Sequence, residues 1–289
     1  MIIALIGNIY QTEKSKYLEE IIQYFLSMGD TIIAEEQFLT FIADNLSIDT
    51  SHIAPFSSTQ FTADLCISIG GDGTFLKAAA LVEHKNIPIL GINTGHLGFL
   101  ADISPNDINN DLQAIHEQNF TVEQRNVIEA RNNNGLISIY PYALNEVAVM
   151  KHDNSSLIHI EAYVDGVLLN NYAADGVIVT TPTGSTGYSL SVGGPILAPM
   201  SGTLCISPIA SHSLNTRPVV VPDNVEIMLK VESRTSNFLL SIDGRSESFP
   251  CTNNIYIRKA PYKISVVRIG YKSFYDTLKK KLAWGKRGE

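Results

Sequence analysis

Apolar residues recur along this 289-residue chain with two different periods. In the first third, short apolar runs alternate with stretches whose apolar positions fall three and four apart. Ile2 to Gly7 reads as a buried strand. Leu18, Ile21, Ile22, Phe25 and Leu26 then share one helical face, and Gly29 stands where a helix ends. Thr31 to Ala34 reads as strand, and Phe38, Phe41, Ile42 and Asn45-Leu46 as a second helix. Leu65 to Ile69, a glycine cluster and Phe75 to Val82 give strand, turn and helix, and Ile87 to Ile92 is strand again. Ser104-Pro105 with Asp107 makes a helix start ahead of Ile108, Leu112 and Ile115. This alternation predicts an α/β domain over residues 1–120, a parallel sheet with flanking helices.

Beyond residue 120 the helical period is lost for about 150 positions. Runs rich in Val, Ile and Tyr alternate with turns: Val122 to Ala130, Leu144 to Met150, Leu157 to Val164, Gly176 to Thr181, Val225 to Val231, Phe238 to Ile242, Ile255 to Ile257 and Ile264 to Ile269. Asp165-Gly166 between two runs is a hairpin signal. Residues 121–270 are therefore expected to form a mostly antiparallel β domain. A last helix, Phe274 to Leu282, is expected to return to the first domain, so residues 271–289 are grouped with it.

Composition narrows the class. Hydrophobic residues make up 45% and charged residues 17%, which excludes a disordered chain and leaves stability to apolar burial. A net charge of −8 argues against a nucleic-acid binder. The charge is uneven. Lys279, Lys280, Lys281, Lys286 and Arg287 against Glu289 give the last eleven residues +4, so the remainder carries −12. The tail is either a solvated basic end or a contact for an acidic neighbour. Cys66, Cys205 and Cys251 lack metal-ligand spacing and read as reduced thiols of a cytoplasmic protein. The first apolar run is too short for a signal peptide, and no run approaches a membrane span.

Four segments carry candidate chemistry. Gly70-Gly71-Asp72-Gly73-Thr74 lies between a strand and a helix, where bare amides and the helix dipole favour a phosphate. Asp72 would repel a phosphate, so it either holds a cation, accepts a proton from an attacking hydroxyl, or caps its helix. Gly91 to Phe99 follows a strand; His96 is either a ligand donor or structural, and Phe99 either a stacking platform or core. Asn145-Glu146 interrupts an apolar run, which is costly without partners. Neighbours on a strand point to opposite faces, so one ligand reaches both only at a strand end or bulge. Glu146 suits ribose hydroxyls and Asn145 an adenine edge; a structural pair is the alternative. Asp175 to Ser191, followed by Gly193-Gly194-Pro195, is dense in hydroxyls and glycines, as close wrapping of a nucleotide requires. P-loop, dinucleotide-fingerprint, zinc-protease and nucleophile-elbow motifs are missing.

These segments, in this order, resemble the NAD kinase family from the first strand to about residue 270. Gly-Gly-Asp-Gly alone is shared with phosphofructokinases and with diacylglycerol and sphingosine kinases. Its pairing with Asn145-Glu146 and with Thr181-Pro182-Thr183-Gly184-Ser185-Thr186-Gly187-Tyr188 is specific to the NAD kinase branch. The resemblance implies an active site between the two domains, a homodimer or homotetramer, and Mg²⁺ or another divalent cation with unassigned ligands. It implies Asp72 as catalytic residue, with Gly73, Lys77 and Phe99 among the NAD contacts. Asn145 and Glu146 are implied to hold the adenosine, and Ala173 and Asp175 to lie toward the nicotinamide end. Thr183, Thr186, Gly187, Tyr188, Ser189, Leu190 and Ser191 match the adenine and ribose segment, and Ala210 and Arg245 match further contacts. Three positions depart from the family pattern: Gly187 and Ala173, where alanine and a polar residue are common, and Arg245, often glutamine. Arg245 would pair with a phosphate or reach across a subunit boundary.

The implied reaction is transfer of the ATP γ-phosphoryl group to the 2′-hydroxyl of the NAD adenosine, with neither nucleic acid nor membrane as partner. Polyphosphate is a possible donor in place of ATP. A lipid or sugar kinase with the same glycine loop is one alternative; a non-catalytic NAD-binding sensor is another.

Overall fold

The α/β alternation of the first 120 residues follows from apolar spacing. The computed structural model describes residues 1–10, 15–93, 98–101, 103, 108–153, 157–270 and 273–284. His96, the Ser104-Pro105-Asp107 helix start, Lys286 and Arg287 lie outside the described residues. The chain divides into two units, Met1–Gln124 with Ile264–Glu289, and Arg125–Lys263.

In the first unit the order is β1 (Ile2–Gly7), α1 (Ser15–Ser27), β2 (Thr31–Glu35), α2 (Glu36–Asn45), β3 (Ala54–Phe56), β4 (Leu65–Ile69), α3 (Asp72–Val82), β5 (Ile89–Ile92) and α4 (Ile108–His116). Leu18, Ile21, Ile22 and Phe25 on α1 are buried, and Gly29 closes that helix at φ +77°. Glu35 caps α2, its carboxylate accepting from the Phe38 amide. The strands lie in the order β3-β2-β1-β4-β5, every pairing parallel. That order reverses direction between β1 and β4, and ligands of such sheets bind at the carboxyl ends of the strands at that switch point. Gly7-Asn8 and Gly70–Thr74 stand there, and the Asn8 amide donates to the Ile69 carbonyl at 3.0 Å.

The chain continues with β6 (Thr121–Asn132), β7 (Gly135–Leu136), β8 (Tyr142–Ala143), β9 (Glu146–Lys151), β10 (Ile158–Val164), β11 (Val167–Ala174) and β12 (Gly176–Thr180). A 3₁₀ turn at Gly184–Thr186 leads to α5 (Tyr188–Ser191). Next come β13 (Thr203–Ile209), β14 (Val219–Pro222), β15 (Ile227–Glu232), β16 (Asn237–Ile242), β17 (Arg245–Pro250), β18 (Ile255–Arg268) and α6 (Phe274–Lys281). In the second unit one antiparallel sheet runs β14-β13-β12-β9-β16-β17. A second path runs β11-β10-β15-β18, with Asp165 and Gly166 in the hairpin turn at positive φ. Alternating residues such as Phe238, Leu240 and Ile242 face one continuous core. All five residues of β12 are buried: Val177 and Val179 face that core, and Ile178 packs with Ala148, Ile209 and Val192 on the other side. β18 is one strand of 14 residues where the sequence suggests two short runs. β13 is hidden in the sequence by Pro208, which pairs with Val177 beyond the residues where β14 pairs with β13, so the missing amide breaks no ladder bond there.

Candidate active site

In the first unit the glycine loop opens α3. Gly70 takes a φ of +153°, and a Cβ there would strike the Thr74 hydroxyl. Gly71 and Gly73 have nothing within 4 Å of where a Cβ would stand, so their backbone faces open space. With Gly7, Asn8, Thr74 and Lys77 they line a cleft of about 460 Å³ at the sheet's switch point. Bare amides at a helix start suit a phosphate. Lys77, on the same helix, lies 3.0 Å from the Glu35 carboxylate, the group that caps α2.

Asp72, the first residue of α3, turns its carboxylate to the chain segment after β5. Oδ2 accepts from the Phe99 amide at 3.1 Å, and Oδ1 from the Leu100 and Ala101 amides at 3.0 and 3.3 Å. These bonds give Asp72 a role other than capping its own helix. A Cβ on Gly98 would collide with Asp72 Oδ1, so glycine there is a condition of the seat. The Phe99 ring lies 6.3 Å from that of Phe274, the first residue of α6.

In the second unit Asn145 and Glu146 stand where β9 begins, a strand end, so both side chains are available to one ligand. The structure explains their presentation through Asp243. Its Oδ2 accepts from the Leu144 amide at 2.7 Å, and its Oδ1 from the Asn145 and Glu146 amides at 2.9 and 3.0 Å. On the other side, the Asn145 carbonyl accepts from the Thr181 amide at 2.9 Å and the Thr180 hydroxyl at 3.1 Å. Asn145 Oδ1 and Glu146 Oε2 are buried with no hydrogen-bond partner among the described residues. Burial pushes the Glu146 carboxyl up to about 8, with the neighbouring Asp243 adding to the rise. Burial raises Asp243 too, against its three amide donors and the Arg245 charge. The rise at Glu146 favours its protonated carboxyl at neutral pH.

Gly187 closes the same corner. A Cβ there would lie 3.4 Å from Glu146 Oε2 and 3.6 Å from Asn145 Nδ2. The hydroxyls of the 180–191 segment fall into two groups. Thr180, Thr181, Ser185 and Ser189 are fully buried and bonded inside the protein: Ser185 Oγ holds the Leu197 amide at 3.0 Å, and Ser189 Oγ meets Ser207 Oγ at 3.3 Å. Thr183 is buried, Thr186, Gly187 and Leu190 are half-buried, and Tyr188 and Ser191 are exposed.

Ala173, Asp175 and Ala210 gather at the far end of β12. The Asp175 amide donates to the Ile209 carbonyl at 3.0 Å, and its carboxylate meets Lys151 at 2.8 Å. Thr180 pairs with Glu146 and Gly176 with Met150, so the two groups are four residues apart along β12, roughly 13 Å at the usual strand rise. Arg245 donates to the Tyr142 carbonyl at 2.8 Å and stacks over the Tyr140 ring, while its Nε is buried without a partner among the described residues. The sequence marks neither Asp243, which reads as a turn residue before Gly244, nor Gly98 as a seat for Asp72. The one available signal was an aspartate followed by glycine, which any turn supplies.

Amides set for a phosphate, and a buried amide and carboxyl short of partners, place the chain among nucleotide-binding phosphotransferases. Comparison with known proteins narrows that class. A model of the ATP-NAD kinase N-terminal domain matches residues 3–120 and one of the ATP-NAD kinase C-terminal domain matches residues 144–269; the chain belongs to the NAD kinase family. It is 47% identical over 282 residues to an NAD kinase of Bacteroides fragilis, covering 98% of this chain and 97% of that one. It is 42% identical over 290 residues to an NAD kinase of Flavobacterium psychrophilum, covering 99% and 98%. The fold matches a crystal structure of yeast NADH kinase complexed with NADH, with a TM-score of 0.90 and 22% identity over 100% of this chain and 89% of that one. It also matches an NAD kinase from Archaeoglobus fulgidus in complex with ATP, with a TM-score of 0.76 and 26% identity over 98% and 99%.

Proposed function

We propose that this chain transfers the γ-phosphoryl group of ATP to the 2′-hydroxyl of the NAD adenosine ribose, giving NADP, with Asp72 as the base. The ribose oxygen forms the new bond to phosphorus, the bond to the β-γ bridging oxygen breaks, ADP leaves, and the hydroxyl proton passes to Asp72. The observation that carries this reading is the orphaned pair Asn145 Oδ1 and Glu146 Oε2. Such atoms are expensive to bury unless a ligand supplies their partners. An adenosine does so: its exocyclic amine donates to Asn145 and its ribose hydroxyls meet Glu146. Thr183, Thr186, Gly187, Tyr188, Leu190 and Ser191 line the adenine and ribose, and Asp175 with Ala173 and Ala210 takes the nicotinamide end along β12. Ser189, buried on Ser207, supports the segment from below.

The amides of Gly71 and Gly73, with Gly70 and Thr74 shaping the loop, hold the phosphates, and Lys77 flanks them. Among the described residues no three His, Cys, Asp or Glu side chains converge as a metal site. The phosphates held beside Gly71, Gly73 and Lys77 would carry a divalent cation, Mg²⁺ or a relative, which would supply neutralisation of phosphate charge. No helix among the described residues is long and apolar enough to cross a membrane. We place the protein in the cytoplasm and assign it a homo-oligomeric state, a homodimer or homotetramer.

Incubating the purified protein with NAD, ATP and Mg²⁺ tests the reading. NADP and ADP forming in equal amounts is the expected outcome. NAD binding without turnover would make the protein a sensor. Phosphorylation of a lipid or sugar in preference to NAD would move it to another branch of kinases.

A further inference from the structure

Of the two cations that the sequence offers to the nucleotides, Lys77 pairs with Glu35 at the edge of the phosphate cleft and Arg245 donates to the Tyr142 carbonyl. A cation does reach Asp72, and it comes from the far end of the chain. Lys281, the last residue of α6, places Nζ 3.9 Å from Asp72 Oδ2 and 4.5 Å from the centre of the Phe99 ring. Phe274, Leu278 and Lys281 follow one another at i, i+4 and i+7, which puts them on one face of α6. Leu278 is buried, and the Phe274 ring meets the Phe99 ring. That helix face is therefore applied to the segment whose amides hold Asp72. A capping box at Ser273 and Asp276 fixes where α6 starts. From the strand before it, Arg268 donates to the Phe99 carbonyl at 3.3 Å.

We propose that Lys281 is a positioning residue for phosphoryl transfer: seated on the Phe99 ring, its ammonium group orients the Asp72 carboxylate toward the hydroxyl it deprotonates. The pair is about one-third exposed on the Asp72 side and slightly less on the lysine side. Ion pairs of that exposure add little to folding stability, so alignment is the use left to it. Among the described residues Asp72 Oδ2 takes one amide, from Phe99, and Oδ1 takes two. Oδ2 is the oxygen that Lys281 faces. The basic tail seen in the sequence has an acidic neighbour after all, and that neighbour is the proposed base. Lys279 and Lys280 share the last turn of α6 and are exposed, which makes Lys280 an internal control.

The proposal rests on Asp72 as the base, and the experiment separates the two claims. NADP formation from NAD, ATP and Mg²⁺ is measured for Lys281→Met, Lys281→Arg, Lys280→Met, Asp72→Asn and the Asp72→Asn/Lys281→Met pair, with thermal unfolding in parallel. Misaligned reacting groups typically cost up to about 10²-fold. Lys281→Met should lose about 10- to 100-fold in kcat with KM for NAD and the unfolding temperature near wild type. Lys281→Arg should recover most of that loss, Lys280→Met should lose nothing, and the double variant should be no worse than Asp72→Asn. Wild-type kcat in Lys281→Met alongside a crippled Asp72→Asn overturns the positioning role alone. So does a loss in Lys280→Met equal to that in Lys281→Met, or an arginine variant as slow as the methionine one. Wild-type kcat in Asp72→Asn overturns the base assignment and the positioning role with it.

Discussion

The Asp72 carboxylate, where α3 begins, accepts hydrogen bonds from the Phe99, Leu100 and Ala101 amides, whereas Glu146, where β9 begins, has an oxygen buried without a partner among the described residues. Both are acids at the start of a regular element. Asp72 is held by the protein's own backbone. Glu146 sits close to another carboxyl, Asp243, whose oxygens are taken by three amides; burial pushes Glu146 up to about 8, and the Asp243 charge adds to the rise. On the roles proposed for them, the residue that does chemistry has its geometry fixed before the substrate arrives, and the residue that does recognition is left short of a partner that the ligand brings.

Removing the chemistry should have the largest effect. Asp72→Asn is expected to lower kcat by about 10²- to 10⁴-fold, the range of a missing general base, measured as NADP formation at saturating NAD. Next comes the Asp243 clamp. Asp243→Ala strips three buried amides of their acceptor, at about 1–3 kcal/mol for each group left unsatisfied. KM for NAD should rise at least about 10-fold and the unfolding temperature should fall. Asp243→Asn, which keeps one acceptor oxygen, should fall between that variant and wild type.

Glu146 predicts a pH dependence of stability. Its folded pKa, about 8, lies above that of an exposed glutamate. Between those values the folded state binds a proton that the unfolded state has lost, so stability falls as pH rises through that window. Glu146→Gln removes the loss. Its advantage over wild type should be absent near pH 4, grow from pH 5 to pH 8 and level off above, as followed by thermal unfolding. The smallest effect is expected at Gly187. Its φ of −94° lies outside the left-handed region, and the added Cβ would make ordinary contacts with Glu146 and Asn145 and a tight one, 3.2 Å, with the Gly184 carbonyl. Gly187→Ala should change KM for NAD by less than about 5-fold, since one methyl group is worth about 1 kcal/mol.

The regular elements were legible in the sequence because the apolar period is local. Leu18, Ile21, Ile22 and Phe25 point at the core whatever the rest of the chain does. Asn145-Glu146 was legible for the opposite reason, as two polar residues that break an apolar run. What holds them was not. Asp243 is about a hundred positions away and reads as half of an Asp-Gly turn. Lys281 and Asp72 are separated by more than two hundred positions, so no spacing rule links them. The hydroxyls of residues 180–191 read alike in sequence. Folding divides them, because Thr180, Thr181 and Ser185 satisfy local backbone groups that burial would otherwise orphan. Arg245, expected at a phosphate or a subunit boundary, also meets Tyr140 and Tyr142, about a hundred positions away, which no spacing rule reveals.

The division of labour between the two carboxyls is tested most directly by titrating NAD into Asp72→Asn and Glu146→Ala by calorimetry. The account predicts wild-type affinity in Asp72→Asn and an affinity at least about 10-fold weaker in Glu146→Ala, the loss of a hydrogen bond to a buried polar group. Wild-type binding by Glu146→Ala, with binding lost in Asp72→Asn, would contradict it.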